Sequence, residues 1–210
     1  MRARITFSKK GALRYIGHLD LQMLWERAAR RAGLPLAYSH GFHPQAKISF
    51  ASALPLGFSS RAEEMDMRLQ TEMDLSELTG RLKKALPAGI AILDVRPVDE
   101  AGPALQTQVR AAEYEVTLIE KCDATELQLG IDRLLTAQSL PRERRGKAYD
   151  LRPWIEALSL IDGTEDGEIK ILMRLSARES ATGRPEEVLA ELGVAARDAR
   201  IERSRLIFQG

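Results

Sequence analysis

Cysteine is nearly absent: Cys122 is the only one in 210 residues. No disulfide framework can form within the chain, and a cytoplasmic setting is expected. One thiolate also cannot hold an iron–sulfur cluster, which needs several. Aromatic residues are sparse, at 5%. No apolar run approaches the roughly 18 residues of a membrane span, so no membrane contact is expected. The opening residues, Met1 to Phe7, hold no long apolar core ahead of a small-residue cleavage site. A secretory signal is therefore not expected. No P-loop, dinucleotide fingerprint, serine elbow or standard zinc spacing occurs. No cofactor and no metal is expected, and no motif announces a reaction.

What is present is a folded composition with uneven charge. Hydrophobic residues make up 44% and charged residues 29%, which suits a globular chain. The net charge of +1 hides a strong polarity along the sequence. Residues 1–60 carry nine Lys or Arg against two acids, Asp20 and Glu26. Residues 61–141 reverse this, with nine bases against fifteen acids. All three histidines, His18, His40 and His43, fall in the basic segment. A basic lobe attracts phosphate-rich partners, or it is neutralised by the acidic segment folded beside it.

Periodicity predicts the elements. Arg2 to Ser8 alternates as a strand, and Leu13 to Ile16 extends its pairing. Asp20 to Ala32 reads as a helix with its apolar stripe at Leu21, Leu24, Trp25, Ala28 and Ala32, stopped by Gly33 and Pro35. Leu36 to His40 and Ala46 to Ala51 read as short strands about the Gly41-Phe42-His43-Pro44 turn. Glu64 to Gln70 is a strand, Asp74 with Glu77 opens a helix by a capping box, and Ile90 to Val95 is a strand. Residues 98–110 read as a linker. The order then repeats: a strand at Tyr114 to Ile119, a helix capped by Asp123, strands at Ala148 to Ile161 and Glu168 to Ser176 turning at Asp162-Gly163, a helix from Pro185, and a strand at Ala199 to Phe208. The expected fold is α+β: two tandem ferredoxin-like βαββαβ sandwich units, at 1–97 and 111–210, either side of the 98–110 linker. The chief alternative is a single larger α+β sheet.

Candidate site residues cluster in the basic segment. His18 and Asp20 stand where strand gives way to helix. Either Asp20 caps the helix and His18 bonds a carbonyl, or the pair does acid–base work. Arg27, Arg30 and Arg31 share one helix face and either clamp phosphates or pair with acids such as Glu63, Glu64 and Asp66. Arg14 and Lys47 add phosphate contacts. Phe42 either stacks on a base or plugs the core, and His43 lies beside it. A second cluster, Arg142, Arg144, Arg145, Lys147 and Arg152, reads as an arginine-rich loop that orders on a polyanion or as a mobile surface loop. Of these, Arg144 and Arg145 are the nucleic-acid candidates.

Gly17-His-Leu-Asp20, Glu26 to Pro35, Gly41 to Phe50, Leu54-Pro-Leu-Gly57 and Glu64-Met-Asp66 resemble a bacterial family called radical SAM-associated or radical SAM-linked proteins. The resemblance covers essentially the whole chain and is specific over residues 10–66. The family usually shows Gly-Phe-Asn-Pro-His-Pro where this chain has Gly41-Phe42-His43-Pro44-Gln45-Ala46. That departure weighs against any histidine role at the turn. The resemblance implies an accessory to a separately encoded radical SAM enzyme, near genes for ribonuclease and ribosomal proteins, and carries over no catalytic residue. The expected partners are thus RNA, as tRNA or rRNA, and that enzyme. A metal-independent RNA-processing enzyme using His18 with Asp20, and a protein-interaction module for an acidic partner, are the rival expectations.

Overall fold

The computed structural model describes residues 1–120, 122–161 and 168–209. The fold is α+β, and the chain divides into two compact units, Met1–Val109 and Arg110–Gly210. No helix among the described residues is long and apolar enough to cross a membrane.

Unit 1 runs β1 (Arg2–Lys9), α1 (His18–Arg31), β2 (Ile48–Phe50), β3 (Ser59–Arg68), α2 (Leu75–Ala85) and β4 (Ile90–Val98). Its strands lie in the order β4, β1, β3, β2, with every neighbour antiparallel. The helices cover one sheet face. Ala3, Ile5, Phe7, Met65 and Met67 meet Leu21, Trp25, Ala29, Leu78 and Leu82 there in one buried cluster. Phe7 sets the packing, with its ring 4.9 Å from Trp25 and 6.2 Å from Phe50.

Unit 2 begins on β5 (Val109–Leu118), followed by α3 (Ala124–Thr136), β6 (Pro141–Arg144), β7 (Lys147–Asp150), β8 (Ile155–Ile161), β9 (Lys170–Arg178), β10 (Ala181–Thr182), α4 (Pro185–Glu191) and β11 (Ala199–Phe208). Strand order here is β8, β9, β5, β11, with β10 continuing the β8 edge of β9. β6 and β7 form a separate hairpin.

Several local expectations change for identifiable reasons. Leu13 to Ile16 does not extend β1. Gly11, at φ 62°, turns the chain into a 3-10 helix at Gly11–Tyr15. Leu36 and Tyr38 make only isolated bridges, to Leu69 and Ala46, so two expected short strands reduce to Ile48–Phe50. Asp74 and Asp123 cap α2 and α3 by accepting from the backbone two and three residues on. The capping box is only half made, because Glu77 turns instead to Arg81 at 2.5 Å. Ala148 to Ile161 is two strands, split by a 3-10 turn holding Pro153, whose missing N–H cannot serve a ladder. The expected turn at Asp162-Gly163 lies outside the described residues.

Within the 98–110 stretch, expected as a linker, residues 99–103 are held by Arg2 of unit 1. Leu105 within it is fully buried. The Arg2 guanidinium donates to the carbonyls of Asp99, Gly102 and Pro103 at 2.8–3.1 Å. One arginine thus satisfies three carbonyls of a segment with little regular pairing of its own.

Candidate nucleic-acid interface

The cations of the basic segment divide by what they touch. Arg2 donates to Asp66 Oδ2 through Nε at 3.0 Å and Nη2 at 2.6 Å. Arg4 donates to Asp66 Oδ1 at 2.8 Å and Oδ2 at 3.1 Å. These three residues are 4%, 8% and 3% exposed as a whole. The Asp66 carboxylate, by hydrogen bond first and charge second, holds Arg4 more firmly protonated. Lys9 is buried as well, with Nζ donating to the Ile16 carbonyl at 3.1 Å. None of the three cations presents a surface to a polyanion. The expected pairing of arginine with Asp66 is therefore made by β1, not by α1.

Helix α1 carries the exposed set. Its core face holds Leu21, Trp25, Ala28 and Ala29, and Leu19, Asp20, Met23, Arg27, Arg30 and Arg31 face solvent. An open groove of about 630 Å³ runs along it, lined by Ile16, Asp20, Met23, Leu24, Arg27, Arg30 and Arg31. Arg30 reaches Glu26 Oε1 at 2.5 Å and the Tyr38 hydroxyl at 3.1 Å. Arg31 donates to the Ala85 carbonyl at 2.8 Å, which fixes it without neutralising it. Arg27 has no hydrogen-bond or ion-pair partner among the described residues. Both acids of residues 1–60 lie on this same helix, so three arginines leave its face with one net positive charge.

His18 and Asp20 share no hydrogen bond or ion pair among the described residues. Gly17, not Asp20, is the N-cap of α1. His18 is the first helical residue and packs edge-on against Phe50, with centroids 5.3 Å apart. Asp20, two positions on, points to the groove. Residues i and i+2 on a helix do not face each other. Among the described residues no group of three His, Cys, Asp or Glu stands placed to hold a metal ion.

The other candidates lie elsewhere on unit 1. Phe42 is 101% exposed and does not enter the core. It tips a loop closed by the Tyr38–Ala46 bridge and by Ser39 N donating to Gln45 O at 2.8 Å, with His40 and His43 exposed beside it. Arg14 bonds the Tyr15 hydroxyl and lies over that ring, 4.6 Å from its centroid. Lys47 lines a small recess with Arg2, Ser49, Asp66 and Arg68, not the α1 groove. The groove thus gathers Asp20, Arg27, Arg30 and Arg31, while Arg14, His18, Phe42, His43 and Lys47 do not line it.

In unit 2 Arg144 is occupied. It donates to Glu187 Oε1 at 2.6 Å and to the Thr182 carbonyl at 3.2 Å. Arg145 is exposed at the β6–β7 turn. The arginine-rich stretch is neither a mobile loop nor one that waits for a ligand, since it forms a paired hairpin. Sequence reading passed over Leu19 and Met23, which extend the exposed line of Arg27 at four-residue spacing. Subtracting the buried stripe from the helical wheel would have found them.

Comparisons bear on the whole chain. Residues 2–185 match a family model described as "Uncharacterized protein conserved in bacteria (DUF2344)". The chain belongs to this family. No curated protein matches it. The solved structure of a Cbf5-Nop10-Gar1 complex resembles it with a TM-score of 0.52 at 8% identity, over 97% of this chain and 48% of the other. That of an archaeal box H/ACA sRNP Nop10-Cbf5 complex gives 0.46 at 9% identity, over 97% and 47%. The chain spans about half the length of the chains it matches. At 8% identity the first likeness is one of fold alone.

Proposed function

We propose that this member of the DUF2344 family is an RNA-binding accessory protein whose α1 face holds the phosphate backbone of a tRNA or rRNA for a partner radical SAM enzyme. The observation that carries the reading is Arg27. It is exposed in a groove that Arg30 and Arg31 also line, and has no partner among the described residues. Arg30 and Arg31 are already oriented by Tyr38 and Ala85, so little side-chain entropy is lost when they meet a phosphate. Phe42, standing free at its loop tip, is the group suited to stack on an unpaired base. The partner enzyme follows from the family resemblance of the sequence, and one cysteine leaves the cluster chemistry to that partner.

In this reading each unit is a ferredoxin-like sandwich. With the β6–β7 hairpin and the two-residue β10 set aside, both place their first strand between the third and fourth, and their second at one edge. The likeness to Cbf5 agrees at the level of fold.

Leu19, 73% exposed, and Met23 favour a second reading, in which the same face docks a protein with an acidic rim. Binding of bulk tRNA and of rRNA fragments across 50–200 mM salt separates the two. The RNA reading expects log affinity to fall linearly with log salt and an Arg27→Ala/Arg30→Ala/Arg31→Ala variant to flatten the slope by about 2, at ~0.7 per phosphate contact. Salt-insensitive binding, or an unchanged slope in that variant, removes it. Co-purification with the radical SAM protein in the absence of RNA favours the docking reading.

A further inference from the structure

The β6–β7 hairpin is built more firmly than a surface ribbon requires. An isolated two-stranded hairpin is marginal in water. This one is fastened along the face that carries Arg142, Arg144 and Tyr149. Arg142 pairs with Glu191 and Arg144 with Glu187. The Tyr149 hydroxyl donates to the same Glu187 oxygen at 2.6 Å. The Tyr149 ring stacks on Trp154 at 4.6 Å with 8° between planes, and the Arg144 guanidinium lies 4.9 Å from the Tyr149 centroid. At the base Asp150 accepts from the backbone of Leu140 at 2.7 Å and of Arg152 at 3.0 Å.

The tip is strained and bare. Arg145 has φ 54° and Gly146 φ 76°, the pattern of a two-residue type I′ turn. Asn, Asp or Gly is favoured at the first of these positions, because only they take positive φ readily. Arg145 is the only non-glycine residue with positive φ among the described residues. Arg145 and Lys147 are exposed and have no partner there. Glu143, registered opposite Ala148, stands on the other side of the ribbon from the Arg144–Lys147 pair. No large apolar side chain is exposed on the hairpin, so it offers nothing for the core of a protein interface. A disfavoured backbone kept at a point that displays two cations is the kind of strain that marks a binding site.

We infer that this tip is a second, pre-formed contact for an RNA phosphate backbone, made by Arg145 and Lys147 and positioned by Arg144. The inference rests on the RNA reading above and adds a contact point that α1 does not contain.

The test measures anisotropy of labelled bulk tRNA with the full chain, Arg145→Asn/Lys147→Gln, and Arg27→Ala, at several salt concentrations. Asn suits the turn, so the double variant should melt at the same temperature as the parent or higher. Its salt slope should fall by about 1.4, two single-strand phosphate contacts, and its affinity at 0.1 M salt roughly tenfold. Arg145→Gly, which also suits positive φ, should lose about half as much slope. Unchanged slope and affinity in the double variant, with Arg27→Ala weakened, overturns the hairpin contact alone. Loss in the double variant but not in Arg27→Ala keeps the hairpin and removes the α1 reading. Absence of salt-dependent binding by the parent chain removes both. Equal losses toward tRNA and poly(glutamate) would assign the tip to acidic surfaces in general and overturn the RNA assignment.

Discussion

Unit 1 buries its strand arginines, whereas unit 2 leaves the corresponding pair open. In unit 1, Arg4 of the first strand stands in register with Asp66 of the third, and the side chains are 9% and 4% exposed. In unit 2, Glu113 of the first strand stands in register with Arg174 of β9, at 2.6 Å, but the exposures are 25% and 43%. The sign of the pair is reversed and its environment is different. What separates them is the covering segment. Residues 99–108 fold over Arg2, whose guanidinium clasps three of their carbonyls. The lesson concerns charge counting. Three of the nine cations in residues 1–60 are buried within unit 1, so a count of charges overstates what its surface can offer.

The largest effect should come from breaking the buried pair. Asp66→Ala leaves two guanidiniums buried without their anion and is expected to cost about 3–5 kcal/mol. Glu113→Ala, at the matching place in unit 2, should cost about 1 kcal/mol or less, as exposed pairs do. Urea unfolding of the full chain reads both. Equal losses would erase the distinction between the units.

Next in size is the hairpin latch. Glu187→Ala removes the acceptor of Arg144 and Tyr149 and should cost about 2 kcal/mol, in the range of hydrogen bonds to charged groups. Thermal melting of that variant, with proteolysis mapped to residues 141–150, checks it. Cleavage unchanged in the hairpin would show that β6 and β7 stand without the latch.

The pH response should also separate the units. The Ser76 hydroxyl, then the Glu77 backbone N–H, hold the Asp74 carboxyl below its usual range in unit 1, and the backbone N–H groups of Thr125 and Glu126 do the same for Asp123 in unit 2. A folded value below the unfolded one gives stability that is present above the unfolded value and lost as pH falls through the folded one. Both units should therefore share an acid limb below about pH 4. Burial and the Glu187 carboxylate push the Tyr149 hydroxyl above its ordinary 10.0. A raised folded value gives stability that is complete below the unfolded value and lost as pH rises past it. An alkaline limb above about pH 10 should thus appear in melting curves and vanish in Tyr149→Phe. If the limb survives that substitution, its origin lies elsewhere.

The smallest stability change belongs to Arg27→Ala. Its side chain has no partner among the described residues, so unfolding should shift by less than about 0.5 kcal/mol.

Much of this architecture was legible in the sequence. Alternation placed β1 and the second half of β3, and Asp74 and Asp123 announced their helices, because period and caps are local signals. Three features were not legible. The docking of the 98–110 stretch was not legible because its one proline and one glycine are ordinary loop residues, and what holds it is Arg2, about a hundred positions away. The His18–Asp20 pairing read well as a string, but helical geometry turns the two side chains apart. The arginine-rich cluster looked unstructured because its partners, Glu187, Glu191 and Trp154, lie outside it in the sequence. For the candidate site, residue type pointed to a helix face that does line an open groove, and only the fold sorted occupied cations from exposed ones.

Phenylglyoxal footprinting of arginines, with and without bulk tRNA, tests that sorting most directly. The account predicts that Arg27 is modified in the free protein and protected by RNA, while Arg2 and Arg4 stay unmodified in both. Modification of Arg27 at the same rate with and without RNA would contradict it.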